Sequence, residues 1–161
     1  SNITWAYATS EVSCPLLFKK IADHITLHNL GAFKPQELSN IAWAYATANE
    51  SHPQLFKKMA NHINSLGNLN EYRPQTFSNI TWAYATSEVS CPLLFKKIAD
   101  HITLHNLGAF KPQELSNIAW AYATANESHP QLFKKMANHI NSLGNLNEYR
   151  PQTFSNITWA Y

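Results

Sequence analysis

The sequence predicts an all-α protein, an α-solenoid in which helix–turn–helix repeats of 38 and 39 residues alternate and stack into a superhelix. Three observations predict it. Residues 1–77 recur as 78–154 without one substitution, and residues 155–161 begin a third copy. Each 77-residue block holds two diverged halves, visible when PQELSNIAWAYATANESHPQLFKKMANHI from Pro35 is set beside PQTFSNITWAYATSEVSCPLLFKKIADHI from Pro74. Within each half, apolar residues recur at three- and four-residue spacing, the period of a helix.

Anchors place the boundaries. Trp43 to Trp82, Pro53 to Pro92 and Phe56 to Phe95 are each 39 apart, and the return step from Pro74 to Pro112 is 38. The one-residue difference is expected in the loop, GNLNEY after Leu66 against GAF after Leu107. The array divides into a partial repeat at 1–34, complete repeats at 35–73, 74–111 and 112–150, and a partial repeat at 151–161.

The elements follow in order. Ser1 aligns with Ser78, so the first helix A is expected to lack its opening turn. In the first complete repeat, helix A is predicted from Pro35 to about Asn49, with proline at the first helical position, where its missing N–H would have no partner. Leu38, Ile41, Ala42 and Tyr45 form its buried stripe. Ser51-His52-Pro53 ends helix A and opens helix B, because the residue before proline avoids the α region. Helix B runs from Pro53 to about Leu66 on an apolar face of Leu55, Phe56, Met59, Ala60, Ile63 and Leu66, and Gly67 is expected to end it as a C′ glycine. A short loop then leads to the next proline and forces antiparallel packing. Neither helix of a pair can bury its stripe alone, so neighbouring pairs must stack. The chain stops at Tyr161, midway through another helix A. With no initiator Met, it is expected to be a fragment, a processed product or an engineered segment, and without polar capping repeats its open ends are expected to favour end-to-end self-association.

Composition narrows the classes. Of 161 residues, 45% are hydrophobic and 14% charged, which excludes a disordered chain and a coiled coil. There is no run of 18 apolar residues, so no membrane partner is expected, and no targeting peptide shows in this segment. Cys14 and Cys91 are one position in two copies, so a mutual disulfide is not expected and a reduced, intracellular setting is preferred. Net charge is +2 with a pI of about 8.5, weaker than the bias of proteins that bind nucleic acid by charge alone.

The string KPQELSNIAWAYAT followed by HPQLFKKMANHI resembles the octotricopeptide repeat family. Its P-Q-x-L-x-N-x-x-W-A-x-A signature reads Pro35-Gln36-Glu37-Leu38-Ser39-Asn40-Ile41-Ala42-Trp43-Ala44-Tyr45-Ala46, and it recurs from Pro74, with Phe77 for the leucine, and from Pro112. The resemblance covers the whole chain. It implies paired α-helices and sequence-selective binding of single-stranded RNA at about one base per repeat, in chloroplasts or mitochondria. Many relatives also carry a C-terminal nuclease-like domain, which this chain lacks.

The residues themselves supply a candidate reading surface. Opposite the buried stripe of helix A lie Gln36, Asn40, Trp43 and Thr47, spaced 4, 3 and 4. The set recurs as Gln75, Asn79, Trp82 and Thr86, and as Gln113, Asn117, Trp120 and Thr124. Amides hydrogen-bond base edges and an indole stacks on a base face. A second reading makes Trp43 inter-repeat core, the commoner use of an aromatic, and Asn40 a backbone-bonding ladder. If the identical polar sets read bases, the preferred RNA is a homopolymer or a simple dinucleotide alternation, the alternation arising from Glu37 against Thr76 or Ala42 against Thr81.

Lys34, Arg73, Lys111 and Arg150 each precede a helix A, whose N-terminus favours anions, and are the candidate phosphate contacts; the alternative is a row of solvated charges. The lysine pairs at 19–20, 57–58, 96–97 and 134–135 are expected to be solvated surface of helix B. His24 and His28, with their copies His101 and His105, have the i,i+4 spacing met in zinc sites but no third ligand, so no metal is expected. His24, His62, His101 and His139 read as packing or loop-bonding residues. No nucleophile–base set, phosphate loop or carboxylate pair is present, so no catalysis, cofactor or small-molecule substrate is expected. The sequence thus points to an RNA-binding module acting by occupancy on transcript stability, processing or translation. The alternative is a structural or protein-binding scaffold, a designed or filament-forming array.

Overall fold

A computed structural model describes residues 2–9 and 14–161, so Ser1 and residues 10–13 of the partial repeat 1–34 lie outside it. Among the described residues the protein is all-helical: α1 (Asn2–Thr9), α2 (Pro15–Leu27), α3 (Pro35–Thr47), α4 (Pro53–Ser65), α5 (Pro74–Ser87), α6 (Pro92–Leu104), α7 (Pro112–Thr124), α8 (Pro130–Ser142) and α9 (Pro151–Ala160), with short 3-10 turns at Leu30–Ala32 and Leu107–Ala109. Every helix from α2 onward opens on proline, as the sequence predicts.

The odd-numbered helices, helices A, pack side by side in chain order, and the even-numbered helices B do the same, making a two-layer repeat array. Helices A lie closer to one another than helices B do. Small buried residues on helix A, among them Ser39, Ala42 and Ala46, allow that approach. The core sits between the layers, and the predicted stripes supply it: Leu38, Ile41 and Tyr45 from α3 and Leu55, Phe56, Met59 and Ile63 from α4 are all buried. Leu66 is only partly buried.

Two side chains join each unit to the one before it by polar bonds. The buried phenol of helix A donates to a main-chain carbonyl of the preceding helix B: Tyr45 to Phe18 O at 2.7 Å, Tyr84 to Phe56 O at 2.6 Å, Tyr122 to Phe95 O at 2.6 Å. The second lysine of each pair reaches back to the carbonyls that end the preceding helix B. Lys97 donates to Asn64 O at 3.0 Å and to Leu66 O, Lys58 to Thr26 O and His28 O, and Lys135 to Thr103 O at 2.7 Å and to His105 O. These three lysines are therefore not the solvated surface expected. An ammonium answers orphan carbonyls at the negative end of a helix. The first lysine of the pair does stay at the surface, as Lys19 with Asp23 at 2.6 Å and Lys96 with Asp100 at 2.7 Å.

The lysine cap also overturns the role given to Gly67. No glycine has positive φ, and Leu66 leaves α4 in extended backbone at φ −70° and ψ 143°. The left-handed residues close helix A instead. Asn49 (φ 55°) and Asn126 (φ 55°) follow α3 and α7, with Glu50 N–H on Tyr45 O and Glu127 N–H on Tyr122 O, both at 2.9 Å. Helix A thus stops at Thr47, short of the expected Asn49. The one-residue difference falls in the loop after Leu66, as expected. Leu30, Leu69 and Leu107 are equivalent buried anchors, each accepting from an aromatic residue three positions on (Phe33, Tyr72 and Phe110), so the extra residue precedes Leu69.

In α5 the left-handed position falls on Glu88 (φ 61°), where a longer side chain adopts a conformation that Asn tolerates better. Glu88→Asn should stabilise the fold by about 0.5–1 kcal/mol, read as a raised melting temperature. Tyr84→Phe should cost about 1 kcal/mol by removing one buried hydrogen bond, read from the denaturant midpoint. Burial holds the Tyr84 and Tyr122 phenols protonated well above their ordinary value of 10.0. The unfolded chain ionises them near pH 10, so their contribution is complete below that pH and is lost as pH rises beyond it. Far-ultraviolet dichroism should show alkaline unfolding, displaced in Tyr84→Phe.

Candidate nucleic-acid interface

Helical periodicity divides helix A into a sealed side and an open one. With Tyr45 and Ile41 locked in the core, the side chains facing away must meet solvent. Gln36, Gln75 and Gln113 are exposed, as are Thr47, Thr86 and Thr124; Asn40, Asn79 and Asn117 are half-buried, with Trp43, Trp82 and Trp120. The twelve residues therefore share one accessible face, and because α3, α5 and α7 are neighbours their stripes run side by side. Trp82 combines both of its readings, packing against the core while remaining partly exposed. In α7 the amides bond one another, Gln113 Nε2 donating to Asn117 Oδ1 at 2.9 Å, and Thr153 Oγ1 from α9 reaches Gln113 Oε1 at 3.4 Å.

The stripes open into clefts near the helix N-termini. One, of about 300 Å³, lies between α3 and α5, with Lys34, Gln36 and Asn40 on one wall and Arg73, Gln75 and Asn79 on the other. Another, of about 350 Å³, lies 77 residues on and includes Lys111, Gln113, Arg150 and Thr153. Lys34, Arg73, Lys111 and Arg150 are exposed N-cap residues, and among the described residues none is in an ion pair. Carboxylates alternate with them. Glu71 and Glu148 line the clefts two positions before the arginines, and Glu37 and Glu114 follow the lysines. The row is balanced in charge.

The positions expected to alternate the reading do not all reach solvent. Ala42 and Thr81 are buried, and the Thr81 hydroxyl donates to Phe77 O at 2.8 Å, so neither can touch a base. Glu37 and Glu114 fold back onto their own helices, each carboxylate accepting from the N-cap N–H of Lys34 at 2.9 Å and Lys111 at 2.7 Å. The x-x-x-Glu spacing of a capping box carried that signal.

The remaining candidates are structural. His24 and His28 stack with ring centroids 4.2 Å apart, and His101 and His105 at 4.0 Å, with His101 also 5.3 Å from the Phe77 ring. Burial pushes the His101 imidazole pKa down, and His105 adds to that. Cys14 and Cys91 are free thiols at the N-caps of α2 and α6, and burial pushes Cys91 up, away from nucleophilic thiolate. Among the described residues no group of three or more His, Cys, Asp or Glu could hold a metal, and no helix is long and apolar enough to cross a membrane. No family model matches the chain, and comparison with curated proteins finds no match.

Proposed function

We propose that the chain is a sequence-selective single-stranded RNA-binding repeat module, reading about one base per repeat and acting by occupancy rather than catalysis. The observation that carries this is the accessible Gln–Asn–Trp–Thr face repeated on α3, α5 and α7. Amides and indoles presented at regular intervals suit bases that are splayed out one at a time. The closer approach of helices A than of helices B supports an array curved into a superhelix with this face on its inner side, where a strand would lie. The resemblance to octotricopeptide repeats supports the same ligand, and with it a place in chloroplast or mitochondrial gene expression: protecting a transcript or gating its processing or translation.

Binding to fluorescent single-stranded RNA homopolymers at two salt concentrations tests the reading. One base should be preferred, and affinity should fall with salt. The triple variant Gln36→Ala/Gln75→Ala/Gln113→Ala should weaken binding about ten- to hundredfold, the loss of roughly 1 kcal/mol per hydrogen-bonding side chain partly offset by water. Absence of binding at low salt sinks the proposal.

A second reading, a structural or protein-binding scaffold, is favoured by the carboxylates that balance the basic row. In this segment α1 also exposes Ile3 and Trp5, and α9 exposes Trp159, which suits end-to-end self-association. Sedimentation showing concentration-dependent oligomers, without RNA binding, would select it.

A further inference from the structure

The helix A N-termini come in two kinds. In α3 and α7 the third residue is glutamate. Its carboxylate accepts the N-cap N–H, and its own amide donates to the N-cap carbonyl, Glu37 to Lys34 O and Glu114 to Lys111 O, both at 3.0 Å. These ends are satisfied internally and carry a negative charge. In α5 and α9 the third residue is threonine, and no acidic residue lies in the first turn. There the first amide bonded to the N-cap carbonyl is one position later, Phe77 to Arg73 O and Phe154 to Arg150 O, both at 3.1 Å. Among the described residues the Thr76 and Thr153 amides make no bond of that kind.

A second observation points to a ligand at α5. The Thr76 side chain is 7% exposed, lines the cleft between α3 and α5, and has no hydrogen-bond partner among the described residues. That hydroxyl opens onto the cleft, where a ligand can take the hydrogen bond that solvent otherwise supplies. The equivalent Thr153, 2% exposed, finds only the long 3.4 Å contact to Gln113. Unspent amides, a hydroxyl, a guanidinium at the N-cap and the positive end of a helix together make an anion site.

We infer that the α5 and α9 N-termini are phosphate sites, built from Arg73, Gln75 and Thr76 and from Arg150, Gln152 and Thr153, whereas those of α3 and α7 are not. The inference deepens the RNA reading and rests on it for the identity of the ligand, a phosphodiester of a single strand. A bound strand is then anchored once per 77-residue block, with the intervening helix A contributing base contacts alone. Glu71 and Glu148, at the rims of the two clefts, oppose the anion and set a ceiling on affinity.

The experiment has two arms on the whole chain. In the first, inorganic phosphate is titrated while backbone amides are followed by nuclear magnetic resonance. Saturable shifts at Thr76 and Thr153 with none at Glu37 and Glu114 are expected; equal shifts at both kinds of terminus, or none, overturn the inference. In the second, the salt dependence of homopolymer RNA binding is compared between two swaps of the repeat types. Thr76→Glu/Thr153→Glu installs the glutamate cap and should lower the slope by about 1.4, two phosphates at about 0.7 each. Glu37→Thr/Glu114→Thr should raise it by a similar amount. Both swaps place a residue the array already carries at that position, and helical dichroism verifies the fold; slopes unchanged in both overturn the inference. Phosphate shifts without binding of any RNA would leave the anion site standing and remove the RNA reading alone.

Discussion

A phenol that donates to a main-chain carbonyl one unit back sets the geometry on which the rest of this array depends. Tyr45, Tyr84 and Tyr122 are fully buried, and a buried hydroxyl tolerates few positions. Each finds its acceptor in the first turn of the preceding helix B, at Phe18, Phe56 and Phe95. Apolar contact between the layers could be made at several staggers; a directional bond at 2.6–2.7 Å allows one. The lysine bridges from Lys58, Lys97 and Lys135 then join consecutive helices B at their other ends. The accessible face of helix A follows from the same constraint. With the tyrosine pinned inward, helical periodicity turns Gln36, Asn40, Trp43 and Thr47 outward in every unit.

Charge on that face is arranged by pairs of units rather than by single units. A base reader needs hydrogen-bonding groups at each step, and the glutamines and asparagines are uniform. The ionic groups differ: glutamate closes one kind of helix terminus and threonine leaves the other open. The 77-residue block, not the shorter repeat, is therefore the electrostatic unit of the protein.

Much of this architecture is legible in the sequence because it depends on local rules. Proline marks the start of every helix from α2 onward, and the apolar period of Leu38, Ile41 and Tyr45 identifies the side that is buried. What escaped depends on neighbours in space. Lys97 reads as a solvated charge until the end of α4 is placed beside it. Gly67 reads as a helix stop until that lysine removes the need for one. Thr81 reads as a source of alternation between repeats because the flank of helix A that faces the next helix A is invisible to a single-helix wheel. At the candidate site the composition of the stripe was legible. Its division into open and closed termini was not, because a count of charges ignores where the glutamates bond.

The identity of residues 1–77 with 78–154 has a consequence at the seams. The seam joined by Tyr45 and Phe18 is chemically the same as the one joined by Tyr122 and Phe95. A helix pair from another molecule could make the same tyrosine bond at either seam, so that bond does not distinguish self from neighbour. Connectivity does, by holding the correct partner at a high effective concentration. At these bonds loyalty to its own chain is an entropic property, and segment exchange between molecules is opposed by dilution.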